Sequence, residues 1–298
     1  MRKVKTTVIG SYPVKIDNVN LMNRYFYQKP SSWNIYIDNA VNNMIEAGID
    51  IVSDGQTRDP FVNIFVRKLK GCRIRDRPEI TGKVEYNGPI TIKDQKYVKT
   101  ILPKDRELVG LLTGPYTLAK SCVDLYYNDN NELAYDFAKA LHQEAIGLSK
   151  IVDLISIDEP FYSVSMPDYA CDLIRTVIQG VSCPSRLHVC GDVSKIIPQI
   201  IEIPVQILSH EFKASPHLFN TFKQHSFPQT ICLGSVRSDN PEIESVDEIK
   251  NHIKKGIDVF DEKISQIAPD CGLRNIPIDS AFKKLKNLVI AGEQIYGG

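Results

Sequence analysis

Eight times along this 298-residue chain a short apolar run ends in a glycine or in a polar, metal-capable group. The tips stand at Gly10, Asp54, Gly114, Asp158, Cys190, Glu211, Gly234 and Cys271. Most are separated by segments of helical period. Trp33, Ile37, Ala40, Val41 and Met44 share one face, with Ser31 or Ser32 as the cap and Gly48 as the stop. Leu133, Phe137, Leu141 and Leu148 mark a second helix, and Leu173, Ile174 and Val177 a third that stops at Gly180. Val193 to Ile201 is predicted helical, interrupted by Pro198. Ser245-Val246-Asp247-Glu248 is a capping box for a helix with Ile249, Ile253, Ile257 and Phe260 inward, and Asp279 is placed as the cap of a last helix. A doubly wound sheet alternates in the same way, but eight repeats over this length favour a (β/α)8 barrel. Neither G-x-G-x-x-G after the first strand nor G-x-x-x-x-G-K-[ST] is present, so no dinucleotide or P-loop site is expected.

One stretch breaks the rhythm. Residues 72–104 carry Arg73, Arg75 and Arg77 in alternation, then Glu85-Tyr86-Asn87-Gly88-Pro89-Ile90, which predicts a hairpin turning at Asn-Gly. We expect this excursion to lie over one mouth of the barrel, its arginines on a solvated edge. The whole chain, 1–298, is expected to form a single catalytic barrel domain.

Lys plus Arg equals Asp plus Glu at 36 each, so no overall field points to a nucleic-acid or membrane partner. The seven cysteines are odd in number and irregular in spacing, which suits reduced thiols in a cytoplasm. Met1-Arg2-Lys3-Val4-Lys5 leads into too short an apolar run for a signal peptide, and no stretch is long enough to span a bilayer.

The chemistry concentrates at Leu187-His188-Val189-Cys190-Gly191-Asp192. In an extended strand residues i and i+2 face the same side, so His188 and Cys190 project together. Imidazole and thiolate side by side suit zinc. In a barrel all eight tips face one mouth, so Glu211 and Cys271 can join them, giving one nitrogen, one oxygen and two sulfur ligands. His210 competes with Glu211, although strand alternation sends the two opposite ways. Such an electron-rich zinc is a poor source of hydroxide and is better suited to keeping an incoming thiol deprotonated and nucleophilic. Asp158-Glu159 places two carboxylates at one tip, and Ile9-Gly10-Ser11 offers backbone N–H groups to a carboxylate. Cys232 lies mid-strand and is expected in the core.

Thr6-Thr7-Val8-Ile9-Gly10-Ser11-Tyr12-Pro13, Leu112-Thr113-Gly114-Pro115, Asp158-Glu159-Pro160, His188-Val189-Cys190, Glu211 and Asp270-Cys271-Gly272-Leu273 occur in that order. Together they resemble the catalytic C-terminal barrel of cobalamin-independent methionine synthase over nearly the whole chain. The resemblance implies zinc on His188, Cys190, Glu211 and Cys271. It implies L-homocysteine as substrate, its carboxylate at Ile9, Gly10 and Ser11 and its ammonium at Asp158, and methionine as product.

Three departures from the family pattern stand out. No counterpart of the family's N-terminal barrel, which helps bind polyglutamyl folate, is expected. Gln56 stands where the family has Glu, keeping a hydrogen-bonding group without the charge. Lys120-Ser121-Cys122 and Arg237 stand near the family's Trp and its proton-transfer His, which makes Arg237, beside Asp158, a candidate catalytic residue. The chain is therefore most similar to the short, single-barrel core methionine synthases. That likeness implies a methylcorrinoid as donor, free or on a corrinoid methyl-carrier protein, because cobalt leaves with the electron pair and needs no proton. Two other readings are a corrinoid-protein:coenzyme M thiol methyltransferase and a non-catalytic zinc barrel that docks a corrinoid protein.

Overall fold

The computed structural model describes residues 4–16 and 33–297. Eight parallel strands form the main sheet: β1 Lys5–Thr6, β2 Ile51–Val52, β3 Glu107–Thr113, β4 Leu154–Asp158, β5 Ser185–His188, β6 Ile207–His210, β7 Thr230–Val236 and β8 Ile264–Pro269. Pairing runs from β2 through β3, β4, β5, β6, β7 and β8 to β1. An isolated parallel bridge between Thr7 and Ile51 completes the ring. Asp50 reinforces that seam: its Oδ2 accepts from the Thr6 amide at 2.8 Å and the Thr6 hydroxyl at 2.9 Å. The expected (β/α)8 barrel is present; six of the eight predicted tips close their strand or follow it within two residues, Gly10 stands four residues beyond Thr6, and Gly234 lies inside β7.

Burial explains why these strands were legible. A parallel barrel strand is covered on both faces, so it reads as a continuous apolar run. Ile9, Ile51, Val109, Leu111, Leu154, Ile207, Cys232 and Ala268 form one apolar cluster inside the ring. The outward residues join a larger cluster shared with the helices. Cys232 is fully buried among them, as expected.

The flanking helices follow their apolar stripes. Asn34–Ala47 buries Ile37, Ala40, Val41 and Met44 and ends at a left-handed Gly48. The Ser31 and Ser32 caps fall outside the described residues. The capping box at Ser245 is formed, with Ser245 and Glu248 bonded in both directions. Two helix expectations need correction. Asp279 is not the cap of the last helix; Ile278–Tyr296 starts after Pro277 and carries Asp279 inside its first turn. The α-helix predicted across 193–201 reduces to Ile197–Ile200, with Pro198 in its first turn.

The excursion also differs in detail. Its hairpin pairs Lys70–Ile74 with Pro78–Glu85, so the turn lies at Arg75-Asp76-Arg77 and not at Asn87-Gly88. The reason is Glu144, fully buried on helix Asn130–Leu148. Its carboxylate accepts from the amides of Ile90, Thr91 and Ile92 and from the Tyr86 and Thr91 hydroxyls. It thereby captures the Asn-Gly segment and caps helix Ile92–Ile101, which packs in the barrel's outer ring. Val123–Asp124 adds a third, parallel strand to the hairpin. Arg73 pairs across the hairpin with Glu79 at 2.6 Å, and Arg75 lies 3.9 Å from the same carboxylate, which fits an edge stabilised by its own charges. No helix among the described residues is long and apolar enough to cross a membrane.

Candidate metal centre and substrate mouth

The C-terminal ends of the strands meet in one mouth, where barrel chemistry is found. His188, Cys190 and Cys271 converge there, one donor atom of each lying within 4.8 Å of the others. Among the described residues this is the single cluster of its kind. Alternation along the strand brings His188 and Cys190 to one side, as predicted, and Cys271 arrives from the end of β8.

His188 is almost fully buried, and its Nδ1 lies 3.1 Å from the Ser209 hydroxyl. With Nδ1 engaged, the Nε2 lone pair is the coordinating position. That buried Nε2 makes no hydrogen bond of ordinary geometry, although the Cys271 thiol lies beside it. Electrostatics in the cluster favours positive charge. The Cys271 thiol is pushed well above its usual range by its contact with Cys190 and by burial. Burial pushes the His188 imidazole down, but Cys271 and Asp158 outweigh it and the net direction is up. An orphaned imidazole nitrogen between two thiols fits a borderline-soft divalent cation, and zinc best.

Glu211 and His210 separate as alternation requires. His210 is fully buried in the helix layer, against Phe212 and Phe222, and burial drives its imidazole down to about 3. Glu211 follows β6 on the inward side of Ser209, but its carboxylate is not part of the 4.8 Å cluster. Of the expected four ligands, three donors converge and Glu211 stands outside that group. Another carboxylate lies near. Asp270 accepts from the Lys213 and Ala214 amides at 3.0 and 2.7 Å, clamping the loop after Glu211, and burial, with the charge of Glu211 adding to it, raises its carboxyl to about 7.

The paired carboxylates at the fourth tip have divided roles. Asp158, on the inward side, accepts from the Ser156 hydroxyl at Oδ1, 2.9 Å away. Among the described residues none hydrogen-bonds its other oxygen. Burial raises its carboxyl, opposed by the charges of His188 and Arg186. Glu159, fully buried, turns toward the Thr113-Gly114-Pro115 turn instead. It accepts from the Tyr116 and Thr117 amides, both at 2.9 Å, and the Thr117 hydroxyl at 2.6 Å. Gly114 is required by that contact, because a Cβ there would fall 2.2 Å from the Glu159 carboxylate. We expect Gly114→Ala to destabilise the fold by about 2–4 kcal/mol, since the anchored carboxylate cannot withdraw. Urea unfolding measures this, and a loss under about 0.5 kcal/mol would mean the carboxylate is free to move.

The first, second and eighth tips are tied together. A Cβ at Gly272 would meet the Ser11 amide at 2.9 Å, so the Ile9-Gly10-Ser11 turn lies directly against the residue after Cys271. Arg274 donates its amide to the Ser11 carbonyl and its guanidinium to the carbonyls of Gln56 and Asp59. Gln56 sits at φ 45°, in the left-handed region that non-glycine residues rarely adopt. It lines a cavity of about 470 Å³ together with Trp33, Asp54 and Arg67. A larger cavity, about 770 Å³, opens at the opposite end of the barrel and contains none of these residues.

Arg237 is placed differently from expectation. Its side chain is held in a fork by Asp239 on the rim, and its amide donates to Glu244, which buried Lys284 secures at 2.7 Å. It makes no contact with the His188, Cys190 and Cys271 cluster. Arg186 and Arg274 escaped the sequence reading. Arg186 shares the inward parity of His188, two residues on, which was a usable signal; Arg274 binds loop carbonyls that no pattern announces.

Residues 4–294 match the family described as the catalytic domain of cobalamin-independent synthase. A methionine synthase of Methanocaldococcus jannaschii is 38% identical over 97% of this chain and 99% of its own length. One from Methanothermobacter thermautotrophicus is 31% identical over 96% and 98%. Among solved structures, a Shewanella B12-independent methionine synthase in complex with selenomethionine aligns with a TM-score of 0.83 at 23% identity, over 98% of this chain and 97% of that one. A methyltransferase from Methanosarcina mazei aligns at 0.72 and 18% identity, over 99% and 95%.

Proposed function

The chain belongs to the cobalamin-independent synthase catalytic-domain family, and from that premise we propose that it methylates the thiol of L-homocysteine to give L-methionine, with zinc held by His188, Cys190 and Cys271. The observation that carries the reading is the buried, unpartnered His188 Nε2 among two convergent thiols. Glu211, the fourth ligand the resemblance implies, lies outside that cluster and is kept as the candidate for the fourth position. Zinc in this position supplies a Lewis acid that keeps a thiol deprotonated at neutral pH.

The chain's own residues do the rest. Asp158 offers its free oxygen to the substrate ammonium, a charge-assisted bond that fixes the amino-acid end. The Ile9-Gly10-Ser11 turn receives the carboxylate through backbone N–H groups, and Gln56 adds a neutral hydrogen-bonding group. Held at both poles, the substrate presents its sulfur toward the cysteine cluster. The sulfur attacks the donor's methyl carbon in line; the S–C bond forms as the bond from carbon to the donor breaks, and its electron pair leaves with the donor. Positioning of both reactants supplies much of the acceleration.

The donor is the finer part of the reading. A folate nitrogen must be protonated to leave. Arg237 stays charged at any ordinary pH and is bound by Asp239, so it offers no proton. This favours a donor that departs without one, a methylcorrinoid, free or on a carrier protein. Against it stands the family's own description as cobalamin-independent, shared by the B12-independent Shewanella neighbour, which keeps methyltetrahydrofolate as the alternative. Methionine formation by zinc-loaded protein, with methylcobalamin and methyltetrahydrofolate in parallel, decides between them. Turnover with methylcobalamin alone supports the corrinoid reading; turnover with folate alone overturns it and leaves the homocysteine half standing. Turnover with coenzyme M in place of homocysteine would overturn that half.

A further inference from the structure

Arg186 is fully buried inside the barrel, and among the described residues it meets no carboxylate at salt-bridge distance. Its surroundings include the apolar interior layer. A buried guanidinium is costly, and an apolar side chain of similar volume fills such a place at less expense in stability. Its hydrogen bonds show what it holds. Nε donates to the Ser156 hydroxyl at 3.2 Å, Nη1 to the Gln266 side-chain carbonyl at 3.0 Å and to the Cys232 sulfur at 3.7 Å, and Nη2 to the Val8 carbonyl at 3.1 Å. Ser156 has one proton to give and gives it to Asp158 Oδ1, so its lone pairs face Arg186. Val8 immediately precedes the Ile9-Gly10-Ser11 turn.

We propose that Arg186 is the positioning residue for amino-acid recognition. Through Ser156 it fixes the carboxylate that receives the substrate ammonium, and through the Val8 carbonyl it fixes the turn that receives the substrate carboxylate. One cation under the mouth sets the spacing between the two poles. The free oxygen of Asp158 is aimed because its partner oxygen is held, and the relay from guanidinium to hydroxyl to carboxylate polarises in one direction. This inference rests on homocysteine as the substrate.

The test is calorimetric binding to the zinc-loaded full chain, with L-homocysteine and γ-mercaptobutyrate, which keeps the thiol and the carboxylate but lacks the amine. Ser156→Ala is expected to weaken homocysteine binding about tenfold and to change γ-mercaptobutyrate binding less than about twofold. Zinc content stays that of wild type. Arg186→Met is expected to weaken both thiols, homocysteine more, and Arg186→Lys to recover part of the loss. Should Arg186→Met fail to fold, Ser156→Ala, which deletes a single hydroxyl, still decides. Equal loss of both thiols in Ser156→Ala, or no loss of either, overturns the proposal. Wild-type protein that binds the two thiols equally is a distinct result: it overturns the homocysteine reading and this inference with it.

Discussion

Replacing Cys271 by serine is expected to remove stoichiometric zinc and to lower methionine formation at least about a thousandfold, the equivalent of several kcal/mol of transition-state stabilisation. Serine differs from cysteine by one atom, so the barrel should fold normally. What changes is the donor set: an imidazole and a single thiol remain of the three groups within 4.8 Å. A hydroxyl is a harder and far weaker ligand than a thiolate. Metal analysis of the purified variant reads the zinc directly, and circular dichroism checks the fold. A variant that keeps full zinc occupancy would place the metal elsewhere in the chain.

Asp158→Asn is expected to do the opposite: to retain zinc while weakening homocysteine binding about ten- to a hundredfold, the range for losing a hydrogen bond between charged groups. The amide keeps the shape of the carboxylate and still accepts from Ser156. It has lost the charge proposed to meet the substrate ammonium, and its amino group presents a donor to another donor. The loss should appear in KM or Kd for homocysteine and vanish for γ-mercaptobutyrate. An unchanged KM would move ammonium recognition to another residue, Gln56 first. The pair of variants separates the two halves of the site: one disturbs the metal cluster at the ends of β5 and β8, the other the substrate pole at the end of β4.

The barrel was legible because its strands are covered on both sides and therefore announce themselves as apolar runs with polar ends. Strand alternation placed His188, Cys190 and the outward His210 correctly. Applied further, it also separates Asp158, on the inward side with Ser156, from Glu159, which anchors the Thr113-Gly114-Pro115 turn. What escaped depends on side-chain partners that strand and helix periods do not announce. Asn87-Gly88 has the local chemistry of a hairpin turn, but Glu144, more than fifty residues away, binds the backbone that follows it. Arg237 stood near the place of a family acid, while Asp239, two residues on, holds it at the rim. Glu211 was assigned by convergence of the tips, and convergence fixes where a backbone ends, not where a flexible carboxylate rests beside a second carboxylate, Asp270.

The claim on which the account turns is that thiol methylation depends on a metal held by His188, Cys190 and Cys271. The most direct measurement compares methionine formation from homocysteine by zinc-loaded and chelator-stripped protein, with the donor that supports turnover, followed by readdition of zinc. Stripping is expected to abolish turnover and about one equivalent of zinc to restore it. Turnover at the zinc-loaded rate by protein shown to be free of metal would contradict it.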